Sequence, residues 1–309
     1  MLTKLYSKSS YLASILSYIY LTVVVIFKIR ENHNSQINEP SLTNYFVFIV
    51  LFMMMLQGYN RWIKNSAKND GINTTERPII YLLLFPALVS FMPYEIMNLE
   101  WVLGGYFLFL ATRKYSLSID NIKEESLIEV GILISFSILF TPYFIIYLAL
   151  MVVRIFLTGK FTLSKIIAVV LPTALTWFMA LTINTFSTLN TPFYKLINSE
   201  KDFYFQITNS IQGVGLITLS IIALLTLVFV NKKNLYKLER NTHYSRITLF
   251  IAHLLVISFI RSPETLMILT VSILYGLELL IRVTQKMILK ESFLVAILFF
   301  SALNIYYSF

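Results

Sequence analysis

The residues of this 309-residue chain best suited to chemistry are four carboxylates, Glu39, Glu95, Glu100 and Glu264, with Arg261 beside the last. Each falls in or next to a stretch that the topology argued below assigns to an outer face. Carboxylates at the outer mouth of a helical bundle suit general-base work on a lipid-linked substrate, since an ionised oxygen can accept the proton of an attacking hydroxyl. They also suit plain solvation, the commoner reason for acids in a loop. His253 stands in the middle of an apolar stretch, where an ionisable group is costly and counts as a functional candidate. It could relay protons or meet a polar substrate, or it could be a neutral ring bonded to a carbonyl or hydroxyl of a neighbouring helix.

Other chemistries are excluded by residue type or placement. His33, His243 and His253 are assigned to the outside, the inside and the mid-membrane, so they cannot converge on one metal ion, and no cofactor is expected. Gly213-x-Gly215 lacks the third glycine and the preceding strand of a nucleotide loop. There is no Walker lysine and no Gly-x-Ser-x-Gly. Glu278 precedes Arg282 by one helical turn, the spacing of an ion pair near an interface. Glu129 and Arg154 lie near inner ends of their stretches, within reach of headgroups.

What must position these residues is a set of membrane helices. The chain is 57% hydrophobic and 13% charged, with a mean hydropathy of +0.72. Soluble domains carry roughly 45–50% apolar and about 25% charged residues. A water-soluble fold cannot hide this much apolar surface, so lipid is the second solvent. The formal charge of +9 comes from 25 Lys and Arg against 16 acids. Nucleic-acid binding is not the expected reason, because no loop is long enough to make a basic domain. Cationic loops retained on the cytoplasmic side explain the excess. With no cysteine, disulfides and thiol chemistry are absent. Lys4 and Lys8 precede the first apolar run, which lacks small residues at a cleavage site and reads as a retained anchor.

A membrane helix needs about 20 apolar residues, with a range near 17–25. Eleven segments are expected: Leu12–Phe27, Leu42–Leu56, Ile79–Met92, Trp101–Thr112, Leu127–Phe140, Tyr143–Leu157, Lys165–Ile183, Ile211–Val230, Ile247–Ile260, Thr265–Ile281 and Phe293–Tyr307. The stretch Leu127–Leu157 decides the topology. As a single helix it would be about 45 Å long at 1.5 Å per residue, beyond the thickness of the hydrocarbon layer. Pro142 disfavours helical geometry at Thr141. With a break there and the N-terminus inside, twenty of the 25 cations fall inside and five outside. Without it the division is near even, so the positive-inside bias selects the break and places the C-terminus outside. Two readings of the hairpin at 127–157 remain, a pair of crossings or a re-entrant dip, and both keep the same parity.

The chain therefore reads as one all-α, polytopic transmembrane domain over 1–309. The stretch 184–210 forms an external loop rich in aromatics, including Phe193-Tyr194 and Phe203-Tyr204-Phe205. An interfacial helix at headgroup level is the plain reading of it, and a lid over an external cleft the bolder one. Lys232-Lys233 would attract anionic headgroups. Tyr306 and Tyr307 fit an aromatic belt.

At Leu110-Ala111-Thr112-Arg113-Lys114-Tyr115-Ser116-Leu117 the chain resembles a family of multi-pass inner-membrane proteins of unknown activity from Bacteroidota, especially flavobacteria. The shared pattern is a short span ending in a basic pair with Tyr, Ser and Leu, then a polar linker and a hairpin of short helices broken near a proline. Here those parts are Leu127–Phe140, Thr141-Pro142 and Tyr143–Val153, followed by Arg154, the basic turn Lys160 to Lys165, and Pro172. The likeness covers about Ile79 to Phe186. It departs at Glu124-Glu125-Ser126-Leu127, where the family has a lysine and an aromatic. The resemblance implies a bacterial source and a membrane, and no reaction. In span count and outer acids the chain is also loosely similar to membrane glycosyltransferases that use polyprenyl-linked sugars. Their acidic signature after the first span is reduced here to Glu31 and Glu39.

Three functions follow as expectations: a non-catalytic or accessory component of envelope biogenesis, a transferase acting on a polyprenyl-linked sugar, and a small-molecule transporter. The expected partners are membrane lipids, with a lipid-linked substrate or an envelope protein besides. A transporter would show inverted repeats, and no convincing second copy is visible.

Overall fold

The computed structural model describes Tyr6 and residues 11–34, 42–69, 80–94, 97–117, 124–141, 144–157, 162–186, 211–230, 247, 250–251, 253–254 and 263–307. Among the described residues the chain is all helical and has no strand. Among these residues the elements run in order: α1 (Tyr11–Asn34), α2 (Leu42–Asn69), α3 (Tyr81–Ser90), α4 (Leu99–Leu117), α5 (Glu124–Phe140), α6 (Ile145–Leu157), α7 (Leu163–Phe186), α8 (Ile211–Phe229), α9 (Pro263–Val283) and α10 (Met287–Tyr307). Between α8 and α9, Ile247, Phe250, Ile251, His253 and Leu254 are also helical. Of the external loop expected over 184–210, residues 184–186 are instead the end of α7, and 187–210 lie outside the described residues.

Several helices outrun the apolar segments that announce them. α1 continues from Phe27 to Asn34, through what reads as the start of a polar loop. Lys28 is buried there and pairs with Glu31 at 2.8 Å, one turn on. The pair lets the helix carry a buried ammonium group that would otherwise be costly to desolvate. α4 and α5 reach 19 and 17 residues, longer than their apolar stretches, because polar residues at their ends keep helical geometry. The break near Thr141 is present: α5 ends at Phe140 and α6 opens at Ile145.

The chain divides into two compact units. One comprises 1–97, 202–253 and 269–309, the other 98–201 and 254–268. In the first, α3 is the inner element, packed by α1, α2 and α10. All ten of its residues are buried, as expected for a helix that is apolar all round. α1 buries Ala13, Ser17, Leu21, Val24 and Lys28, a stripe at helical spacing. α9 is buried over most of its circumference from Leu269 onward. It approaches α8 closely: a Cβ built on Gly276 would lie 2.7 Å from both the Cβ and the carbonyl oxygen of Ala223. Small residues at such a crossing let two backbones meet, as membrane helix pairs commonly do.

In the second unit α5 is central, with α4 and α7 against it. Its inward stripe is Leu127, Val130, Ile134 and Ile138. Gly131 admits the α7 backbone, since a Cβ there would stand 2.5 Å from the Val169 carbonyl oxygen. Phe144, just before α6, and Tyr147, Met151 and Ile155 of α6 join the same core.

The outward stripes are apolar too. Leu12, Ile15, Leu16, Ile19, Val23 and Ile26 are exposed along α1, and Leu163, Ile167, Leu171, Leu175 and Phe178 along α7. α8 exposes Val214, Ile217, Ile221, Leu225 and Val228. These stripes run at three- and four-residue spacing, where a soluble helix would carry its polar face. By length and composition, two described helices can cross a membrane: Tyr11–Glu31, of mean hydropathy 2.1, and Met287–Tyr306, of 1.8.

Candidate functional site

One set of polar groups inside the first unit lies on α9. Ser272, Tyr275, Glu278 and Arg282 recur at steps of three, three and four residues, so they share one side of the helix. The first three are buried. His253 meets the start of this track: its Nδ1 lies 3.0 Å from Ser272 Oγ, and the ring is 1% exposed. Either Ser272 donates to an unprotonated Nδ1, or a protonated Nδ1 donates to the hydroxyl. A histidine–serine pair can in principle activate the hydroxyl, provided a third group orients the ring. Glu278 stands six residues beyond Ser272, about 9 Å along the helix axis. The ring lies against a hydroxyl of a neighbouring helix.

Glu278 is also more deeply placed than its spacing to Arg282 suggests. It is 5% exposed, inside the protein. The signal for this track in the sequence is the polar periodicity Ser272, Tyr275, Glu278 and Arg282 within one apolar span, which reading Glu278 and Arg282 as an isolated pair overlooks.

A second polar cluster joins α1, α3 and α10. Tyr20 bonds Ser301, and Ser301 Oγ lies 2.7 Å from Ser90 Oγ. Ser90 in turn donates to the Ala87 carbonyl at 2.7 Å. Each hydroxyl has one proton, so the terminal carbonyl sets the direction: Tyr20 donates to Ser301, and Ser301 to Ser90. In the second unit Ser135 donates to the Gly131 carbonyl at 2.6 Å and lies 3.2 Å from Thr173 Oγ1. Ser137 donates to the Gly104 carbonyl of α4 at 2.7 Å. These hydroxyls satisfy one another and the backbone, as burial in apolar surroundings requires.

Of the outer acids, Glu100 is described. It is exposed in the first turn of α4, where its carboxylate favours the helix dipole. Its backbone N–H donates to Asn98 Oδ1 at 2.9 Å, which makes Asn98 the cap of that helix. Glu39, Glu95 and Arg261 lie outside the described residues, as does the side chain of Glu264 in the first turn of α9. His243 and the side chains of His33 and Arg154 are likewise outside them. Glu129 pairs with Lys114, both partly exposed. Among the described residues no three His, Asp or Glu side chains are grouped as metal ligands.

Compared with models of known families, with curated proteins and with solved structures, the chain matches none.

Proposed function

We propose that the chain is a multi-pass protein of a bacterial inner membrane, a non-catalytic or accessory component of envelope biogenesis that works through its helix faces. The carrying observation is the double apolar character of its helices. α1, α7, α8 and α10 each bury one stripe and expose another of large apolar side chains. Soluble monomers rarely expose contiguous apolar patches beyond a few hundred Å². In lipid such stripes are the ordinary outer face of a bundle. The cation distribution supports eleven spans with the N-terminus inside and the C-terminus outside. The resemblance around Arg113-Lys114 supports a place among the Bacteroidota inner-membrane proteins.

The accessory reading is supported by how the interior polar groups are used. Tyr20, Ser301 and Ser90 bond one another across three helices, and Ser135 approaches Thr173 across two. Such groups hold helices together, and membrane lipids and an envelope protein are the partners that fit.

The test is replacement of Glu39, Glu95, Glu100 and Glu264 by Gln, one at a time, in a strain lacking the native copy. Full complementation and an unchanged surface glycan are expected. Loss of the glycan in any one variant, with normal protein level, would favour the polyprenyl-sugar transferase instead.

A further inference from the structure

Between residues of α8 and α10, with the Phe91 ring beyond the end of α3, lies a cavity of about 480 Å³. Thr218 is the sole lining residue with a polar side chain, and its hydroxyl donates to the Val214 carbonyl at 2.8 Å. The space exists partly because position 215 is glycine: a Cβ there would stand 2.7 Å from the Phe91 ring. Val214 and Phe300, both on the lining, are 54% and 53% exposed. They belong to the outward apolar stripes of α8 and α10, so the cavity is continuous with those faces.

We infer that this cavity is a binding site for one acyl chain of a membrane phospholipid. The inference rests on the membrane reading above. An apolar cavity of roughly 150 Å³ already stays dry and takes a benzene ring, and this one is about three times larger. Typical ligand pockets run from about 300 to 1,000 Å³. A peptide segment is a poorer occupant. An extended chain brings N–H and C=O groups that need partners, and these walls supply none from side chains beyond an already donating hydroxyl. A helix would need a channel about 10 Å across. A hydrocarbon chain needs neither partners nor such width. With no charged group on the lining, the site holds the tail and leaves the headgroup unread.

The test uses the full chain in vesicles of phosphatidylcholine that include a phosphatidylcholine with a diazirine on its acyl chain. After irradiation, adducts are mapped by peptide mass spectrometry. Adducts within 214–222 and 293–300 are expected several-fold above those on the outward stripe of α1, from Leu12 to Ile26. Ala296→Phe, and separately Gly215→Leu, should bring them down to the α1 level while leaving α1 unchanged. Equal labelling of all three helices in the unsubstituted protein would mean ordinary surrounding lipid and overturn the site. Labelled α1 with protected α8 and α10 would mean that protein, either residues 202–210 or a second copy, covers the cavity, and would overturn it too. No adduct on any helix would remove the membrane reading itself, and the site with it.

Discussion

Ser90 and Ser301 stand 2.7 Å apart, Oγ to Oγ, across 211 residues of sequence, and each is 0% exposed. With Tyr20 at one end and the Ala87 carbonyl at the other, they form a one-way hydrogen-bonded chain through the first unit. Ser301→Ala breaks it in the middle and leaves Tyr20 without its acceptor. Hydrogen bonds between membrane helices average about 0.6 kcal/mol, with a maximum near 1.7. Ser301→Ala should therefore cost about 1 kcal/mol in reversible unfolding from detergent micelles. The Ser90→Ala, Ser301→Ala cycle should show coupling, and strictly additive effects would contradict the chain.

The four glycines with close neighbours should not be equally sensitive. At Gly131 and Gly276 an added methyl meets backbone, the Val169 carbonyl and the Ala223 carbonyl and Cα. At Gly104 and Gly215 it meets side chains, Thr141 Oγ1 and the Phe91 ring. Overpacking typically costs about 1–3 kcal/mol. Gly131→Ala and Gly276→Ala are expected in the upper part of that range, and Gly215→Ala in the lower. Thermal denaturation of the four purified variants checks the order, and a most damaging Gly215→Ala would contradict it.

His253 and Ser272 make a further pair open to measurement. Ser272→Ala removes the hydroxyl at Nδ1, and His253→Phe removes the ring's polar atoms while keeping its bulk. Leaving a buried polar group unsatisfied costs about 1–3 kcal/mol. Each single variant is expected to lose stability, and the double variant to lose less than the two singly measured losses together. If the ring does no more than pack and bond, complementation should survive Ser272→Ala. Loss of function at unchanged stability would instead give the pair a chemical role.

The Lys114–Glu129 pair should matter little. Its side chains are 40% and 55% exposed, and exposed pairs contribute roughly 0–1 kcal/mol. Glu129→Gln is expected to shift the unfolding midpoint only slightly, with less effect at high salt. A large, salt-independent loss would mean that lipid or protein shields the pair.

The helical class and the break after Phe140 were legible because apolar run length and Pro142 speak locally. Helix ends were less so. Hydropathy falls at Lys28, yet α1 continues, because Glu31 one turn later pairs with the lysine. The hydroxyl chain from Tyr20 through Ser301 to Ser90 was not legible, since nothing local in a serine reveals a partner two hundred residues away. His253 was visible as an oddity in an apolar run, but its partner Ser272 was not, because serine is common in membrane helices and costs little there. Gly213-x-Gly215 shows a different failure. It carries no nucleotide-loop meaning, and the second glycine is spatially important only because Phe91 lies opposite.

The native chain has no cysteine, so one introduced thiol reports its own location. Ser308→Cys near the C-terminus and Ser7→Cys near the N-terminus can each be treated in intact spheroplasts with a membrane-impermeant maleimide. The eleven-span reading expects Ser308→Cys to label at once and Ser7→Cys to label only after lysis. Protection of Ser308→Cys until lysis, with the protein in the membrane fraction, would contradict the odd number of crossings and remove every outer assignment built on it.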